Sequence, residues 1–83
     1  MSVRVVAPDQ TVFEGPASAL VIPVWDGRMG ILRGHAPMIT LLGQGDLVVE
    51  SPEGTRETLY VSGGVLKVED DQVTVLTEQA GPQ

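Results

Sequence analysis

Turn-forming residues interrupt this chain about every eight positions, and the residues between the interruptions are of the kind that fill strands. Ala7-Pro8-Asp9-Gln10, Gly15-Pro16, the stretch Trp25 to Gly30, the turn around His35, Gly43-Gln44-Gly45, Ser51-Pro52-Glu53-Gly54, Ser62-Gly63-Gly64 and Asp70-Asp71 separate short runs rich in Val, Leu, Ile and Thr. Such spacing leaves no room for a helix of ordinary length, roughly 8 to 20 residues. Met38 to Leu42 has the apolar content of a helix start, but Gly43 and Gly45 stop it within about two turns, so strand is the better assignment. Two hairpins can be read directly. Pro52 at the second position of a β-turn joins Leu47-Val48-Val49 to Thr55 through Val61, and Asp70-Asp71 joins Val65 through Glu69 to Gln72 through Leu76. The expectation is an all-β chain folded as a flattened β-sandwich or barrel of about ten short strands, which also limits exposed strand edges. Residues 1–78 make one domain, and residues 79–83 are expected to fray as a tail.

Size and charge narrow the possibilities. Area scaling for a chain of 83 residues and 8.8 kDa puts the folded surface near ~4,800 Å². The chain has no cysteine and one histidine, so neither a disulfide nor a zinc site is available to staple so small a core. A partner would add to its stability. A net charge of −6 disfavours nucleic acid and anionic membrane as general electrostatic partners. No apolar run reaches the length of a membrane span or of a signal-peptide core, so neither a leader nor direct lipid insertion is expected.

Two segments stand out, Gly30 to Leu42 (G-I-L-R-G-H-A-P-M-I-T-L-L) and Tyr60 to Val68 (Y-V-S-G-G-V-L-K-V), and both are poor settings for catalysis. His35 sits among glycines, a proline and apolar residues, and the next carboxylate after it is Asp46. Ser62 could meet His35 and Asp26 in space, but it lies in Ser-Gly-Gly between strands and not on a strand-to-helix nucleophile elbow. Gly63-Gly64 is more simply a bulge or corner where backbones approach closely. Gly27, Gly30 and Gly34 do not make a phosphate loop, because no Gly-Lys-Ser/Thr follows and no helix N-terminus is at hand. No residue is therefore assigned to catalysis, to a cofactor or to a metal, and one histidine excludes the ordinary metal site of a cupin-like enzyme. Trp25 is either a core plug or an interface anchor. Gly30, Gly34 and Ala36-Pro37 shape an irregular turn that suits presentation of a few side chains on a rigid scaffold, a docking surface.

Three ordered segments then carry a resemblance: V-V-A-P-D-Q-T-V-F-E-G, D-G-R-M-G-I-L-R-G-H-A-P-M-I-T-L-L, and Y-V-S-G-G-V-L-K-V followed by V-T-V-L-T-E. From about Val3 to Glu78 the chain resembles the N-terminal β-sandwich domain of the epsilon subunit of F-type ATP synthases, called delta in mitochondria. The resemblance implies a non-catalytic part of the central stalk, with catalysis in the alpha/beta head. It would dock on the gamma subunit and on the c-ring, coupling proton-driven rotation to ATP synthesis at the cytoplasmic face of the bacterial inner membrane. No homo-oligomer is implied. By position, His35, Met38, Thr40 and Leu42 match the stretch that faces gamma, and Asp26, Gly27, Arg28 and Met29 match the turn that meets the ring. Gly30, Gly34, Pro37, Gly63 and Gly64 take structural roles. Arg28 stands where many members carry an acid and Arg33 where proline is common, so the ring-facing turn is more basic than usual. The chain stops at Gln83, where the family's two-helix hairpin would begin; the expectation is a short subunit without the ATP-sensing, inhibitory function. A free-standing β-sandwich protein-binding module is the alternative.

Overall fold

The computed structural model describes residues 1–82. Eight strands, rather than about ten, follow in order: β1 (Ser2–Ala7), β2 (Gln10–Pro16), β3 (Ala19–Val24), β4 (Gly27–Leu32), β5 (Met38–Leu41), β6 (Gln44–Glu50), β7 (Arg56–Glu69) and β8 (Gln72–Pro82). They hydrogen-bond as β2-β1-β8-β7-β6-β3-β4, with β5 on β7. The described residues contain no helix. The accessible surface is 4769 Å², as the area scaling predicts.

The lower strand count comes from glycines that bend strands instead of ending them. β7 runs unbroken through Ser62-Gly63-Gly64, and both glycines adopt the left-handed conformation (φ 69° and 118°). On one side β5 and β6 pair with β7 in a single continuous register, closed across the gap by Leu42 N–H to Gly64 C=O and Gly63 N–H to Gly43 C=O, both 3.0 Å. On its other side β7 pairs with β8 along almost its whole length. Three neighbouring backbones therefore turn one corner together. The sheet doubles over there, so that β2, β1, β5 and the adjoining ends of β7 and β8 face β6, β3, β4 and the remaining halves.

Inward-facing positions change parity at the corner. Before it β7 buries Leu59 and Val61, after it Leu66 and Val68; β5 and its extension bury Leu42, whereas β6 buries Leu47 and Val49. Strict alternation holds only for extended backbone, so the left-handed glycines absorb the one-residue slip. These side chains meet Val3, Val5, Leu20, Ile22, Ile31, Val73 and Val75 in one core.

Thr77 fixes the corner on β8. It is 5% exposed, its Oγ1 accepts from Ser62 N–H (3.3 Å), and the carbonyls of Gly63 (2.9 Å), Gln79 (2.9 Å) and Ser62 (3.2 Å) surround its single hydroxyl proton. Thr77→Val keeps the shape and leaves these groups unpaired, so a loss of about 1–3 kcal/mol is expected in urea unfolding. A midpoint equal to that of the parent would show that the hydroxyl is not needed.

Residues 79–82, expected to fray, instead complete β8. Gln79, Ala80, Gly81 and Pro82 pair with Ser62, Val61, Tyr60 and Leu59, and Ala80 packs on the core, so the ladder and apolar burial hold the segment down. Gln83 lies outside the described residues. Asp70 and Asp71 form the two-residue β7–β8 turn with φ of 52° and 60°, the left-handed pair that a tight hairpin requires.

Candidate functional site

The segment from Gly30 to Leu42 is the end of β4, a loop and all of β5. Gly34 has φ +82° in open space, which justifies glycine there, and a hydrogen bond from His35 N–H to Leu32 C=O (3.2 Å) closes the turn. The His35 ring is half-buried and its Nδ1–H donates to Ala36 C=O at 2.7 Å, so the side chain braces its own loop. Pro37 is exposed at the entry to β5. Gly30 needs a correction. It has no left-handed φ, and a Cβ there meets nothing within 4 Å, so neither strain nor crowding requires glycine at this position.

β5 and the residue after it turn three of the four residues expected to face a partner toward the interior. Met38 is half-buried against the core, Thr40 is half-buried, and Leu42 is 6% exposed among the core side chains. Ile39 (70% exposed) and Leu41 (61% exposed) point outward instead. Apolar residues occupy both parities of Met-Ile-Thr-Leu-Leu, so alternation alone could not say which set faced the core. His35, in the loop before β5, remains partly accessible.

Following the pairing outward from Leu41 reveals a feature that no single segment contains. Leu41 lies opposite Val65, Val65 opposite Leu76, and Leu76 beside Val6 of the parallel strand β1. This apolar row crosses four strands on the outer face, with Leu76 52% exposed and Val65 and Val6 half-buried. The neighbouring row, Ile39, Lys67, Thr74, Arg4 and Glu14, is mostly polar and carries both charge signs. An apolar strip beside mixed charge is the usual arrangement of an interface core and its rim. Leu76, Val65 and Val6 are spread over the sequence, and only strand pairing brings them together.

The β3–β4 turn approaches this row from its end. Trp25 N–H donates to Leu41 C=O (3.1 Å), and Trp25 is 68% exposed, which excludes the core-plug reading. Asp26, Gly27 and Arg28 are exposed and Met29 is half-buried against the core, so the first three form the accessible part of the turn. Arg28 Nη2 reaches across the sheet to the Asp46 carbonyl at 2.9 Å, a structural duty that the sequence did not indicate.

A family model described as ATP synthase, Delta/Epsilon chain, beta-sandwich domain matches residues 1–83. The chain belongs to this family. Among relatives, the ATP synthase epsilon chain of Psychrobacter sp. (strain PRwf-1) is 44% identical over 77 residues, covering 93% of this chain and 56% of the relative. That of Synechococcus sp. is 40% identical over 80 residues, covering 96% and 58%. The chain thus spans little more than half the length of the relatives it matches. A solved structure of the Euglena gracilis mitochondrial ATP synthase, with OSCP, F1 and c-ring, contains a chain that superposes with TM-score 0.89 at 30% identity, covering 96% of this chain and 51% of that one. A central stalk and c-ring structure from Tetrahymena thermophila matches at TM-score 0.77 and 14% identity, covering 98% and 65%, a likeness of fold. The corner at Gly63-Gly64 and the exposed row through Leu41 are thus features of a delta/epsilon-chain sandwich.

Proposed function

We propose that this domain is a non-catalytic part of the rotor of an F-type ATP synthase, docking on the gamma subunit and the c-ring so that ion-driven rotation reaches the catalytic head. The observation that carries the reading is the apolar row Leu41, Val65, Leu76 and Val6 on an outer sheet face of a delta/epsilon-chain sandwich. Torque transfer calls for a surface that does not deform, and a row spread over four hydrogen-bonded strands moves as one body. In this reading gamma covers the row, with His35 and Ile39 at its edge, and the β3–β4 turn with Asp26, Gly27 and Arg28 meets the ring. The working site is then the cytoplasmic face of the bacterial inner membrane, reached through protein contacts and not by lipid insertion.

Co-purification with gamma tests this directly. A stable complex is expected, and a clean failure to bind gamma would favour a free-standing binding module. The ring contact has a separate test. Exposed Arg28 predicts carboxylates on the ring loops, since like charges brought together cost affinity. Arg28→Glu should weaken assembly with the ring by about tenfold at low salt, and by less as salt screens the contact. Arg28→Gln removes the charge without reversing it, and should lie between parent and Arg28→Glu. Equal assembly of all three at low salt removes Arg28 from the contact.

A further inference from the structure

One carboxylate outside the apolar row ties three separate parts of the chain together. Asp71 Oδ1 accepts from Gly34 N–H at 3.0 Å, across 37 positions of sequence. Its Oδ2 lies 3.5 Å from the Met1 ammonium, and its carbonyl accepts from Ser2 N–H at 3.0 Å. The parallel pairing of β1 with β8 puts the start of β1 beside this turn, and the hydrogen bond to Gly34 places the side chain against the loop after β4. Gly34 is the residue on which that loop reverses, and its amide has no strand partner.

We propose that Asp71 is the positioning residue of the 33–37 loop, holding the Gly34 amide so that His35 and the start of β5 are presented in one fixed geometry to a docking partner. The proposal rests on the reading of Gly30 to Leu42 as part of a docking surface. A loop anchored before binding loses less freedom on association, so the anchor raises affinity without touching the partner. The charged groups facing the carboxylate are the Met1 ammonium from the start of the chain and Arg33 from the loop itself. The Gly34 hydrogen bond, and after it the two positive charges, hold the Asp71 carboxyl below its ordinary value of 3.8. A depressed carboxyl stabilises the fold at pH above the ordinary value and loses that contribution as pH falls through the lowered one, so the anchor is fully formed at neutral pH and released only in acid.

Two substitutions separate anchoring from turn geometry. Asp71→Gly keeps the left-handed conformation at no steric cost and deletes the carboxylate, whereas Asp71→Asn tolerates the same conformation and retains one acceptor oxygen. Asp70→Gly is the control in the same turn. The measurements are amide hydrogen exchange at Gly34 by NMR, the pH titration of the Gly34 amide proton shift, and affinity for gamma. Asp71→Gly should speed Gly34 exchange at least tenfold with β7 and β8 amides unchanged, and weaken gamma binding about tenfold; Asp71→Asn should keep most of both, and Asp70→Gly all of both. In the parent protein the Gly34 shift should titrate with a midpoint below 3.8, and that step should vanish in Asp71→Asn. Unchanged Gly34 exchange in Asp71→Gly, or equal losses in Asp70→Gly, overturns the proposal. If the parent fails to bind gamma while Gly34 responds as described, the anchor stands and its assignment to gamma docking falls.

Discussion

Gly64→Ala should cost ~4 kcal/mol or more, enough to leave a domain of this size largely unfolded at 37 °C. Two effects add. Gly64 has φ +118°, where an L side chain is strained by about 1–3 kcal/mol. A Cβ there would also come within 1.9 Å of the Leu76 carbonyl oxygen and 2.8 Å of the Thr77 Cα, both backbone atoms of the strand that turns the same corner. Neither can move without breaking the β7–β8 ladder, and Thr77 is itself held by hydrogen bonds to the Ser62 and Gly63 backbone. Gly54→Ala is the comparison, since Gly54 also has positive φ (+90°) but open space around its Cβ, and should cost only about 1 kcal/mol. Urea unfolding of both variants checks the difference; a Gly64→Ala midpoint close to that of Gly54→Ala would mean that the corner relaxes easily.

Leu41→Asp and Leu42→Ala should fail in opposite assays although the residues are adjacent. Leu41 is 61% exposed, so an aspartate there should change stability by no more than about 0.5 kcal/mol. At the β5 end of the row proposed to meet gamma, the same charge would be buried against apolar surface and should weaken binding by ~2 kcal/mol or more, about thirtyfold. Leu42, 6% exposed, should lose about 2–5 kcal/mol of stability as alanine, and the fraction that remains folded should bind gamma nearly normally. Binding titrations on folded protein, paired with urea midpoints, separate the two. If Leu41→Asp binds like the parent, the docking face lies elsewhere on the sandwich.

The all-β class, the Ser51–Gly54 and Asp70-Asp71 turns and the candidate loop around His35 were legible in the sequence because each is encoded locally. Turn chemistry depends on the φ preference of one or two residues, and β-branched alternation on near neighbours. The family was legible for a related reason: three ordered segments carry it. Other features depended on partners distant along the chain. Whether Ser62-Gly63-Gly64 ends a strand or bends it depends on Gly43 and Thr77, which pass the same corner on the flanking strands. The residues at 79–82 fray or pair according to whether Leu59 through Ser62 are beside them.

The face that β5 shows to solvent marks the boundary between the two kinds of information. By itself the sequence determined that Met38 to Leu42 would be an apolar strand entered through Pro37, since composition and the flanking glycines permit little else. Only the tertiary structure decided that Ile39 and Leu41 face outward, because a strand apolar on both sides takes its orientation from its register against β7, and that register is passed on from the corner at Gly64. Tertiary pairing likewise assembled the row from Leu41 to Val6 and set Asp71 against Gly34, contacts whose energy depends on distances in space that no local pattern of residues records.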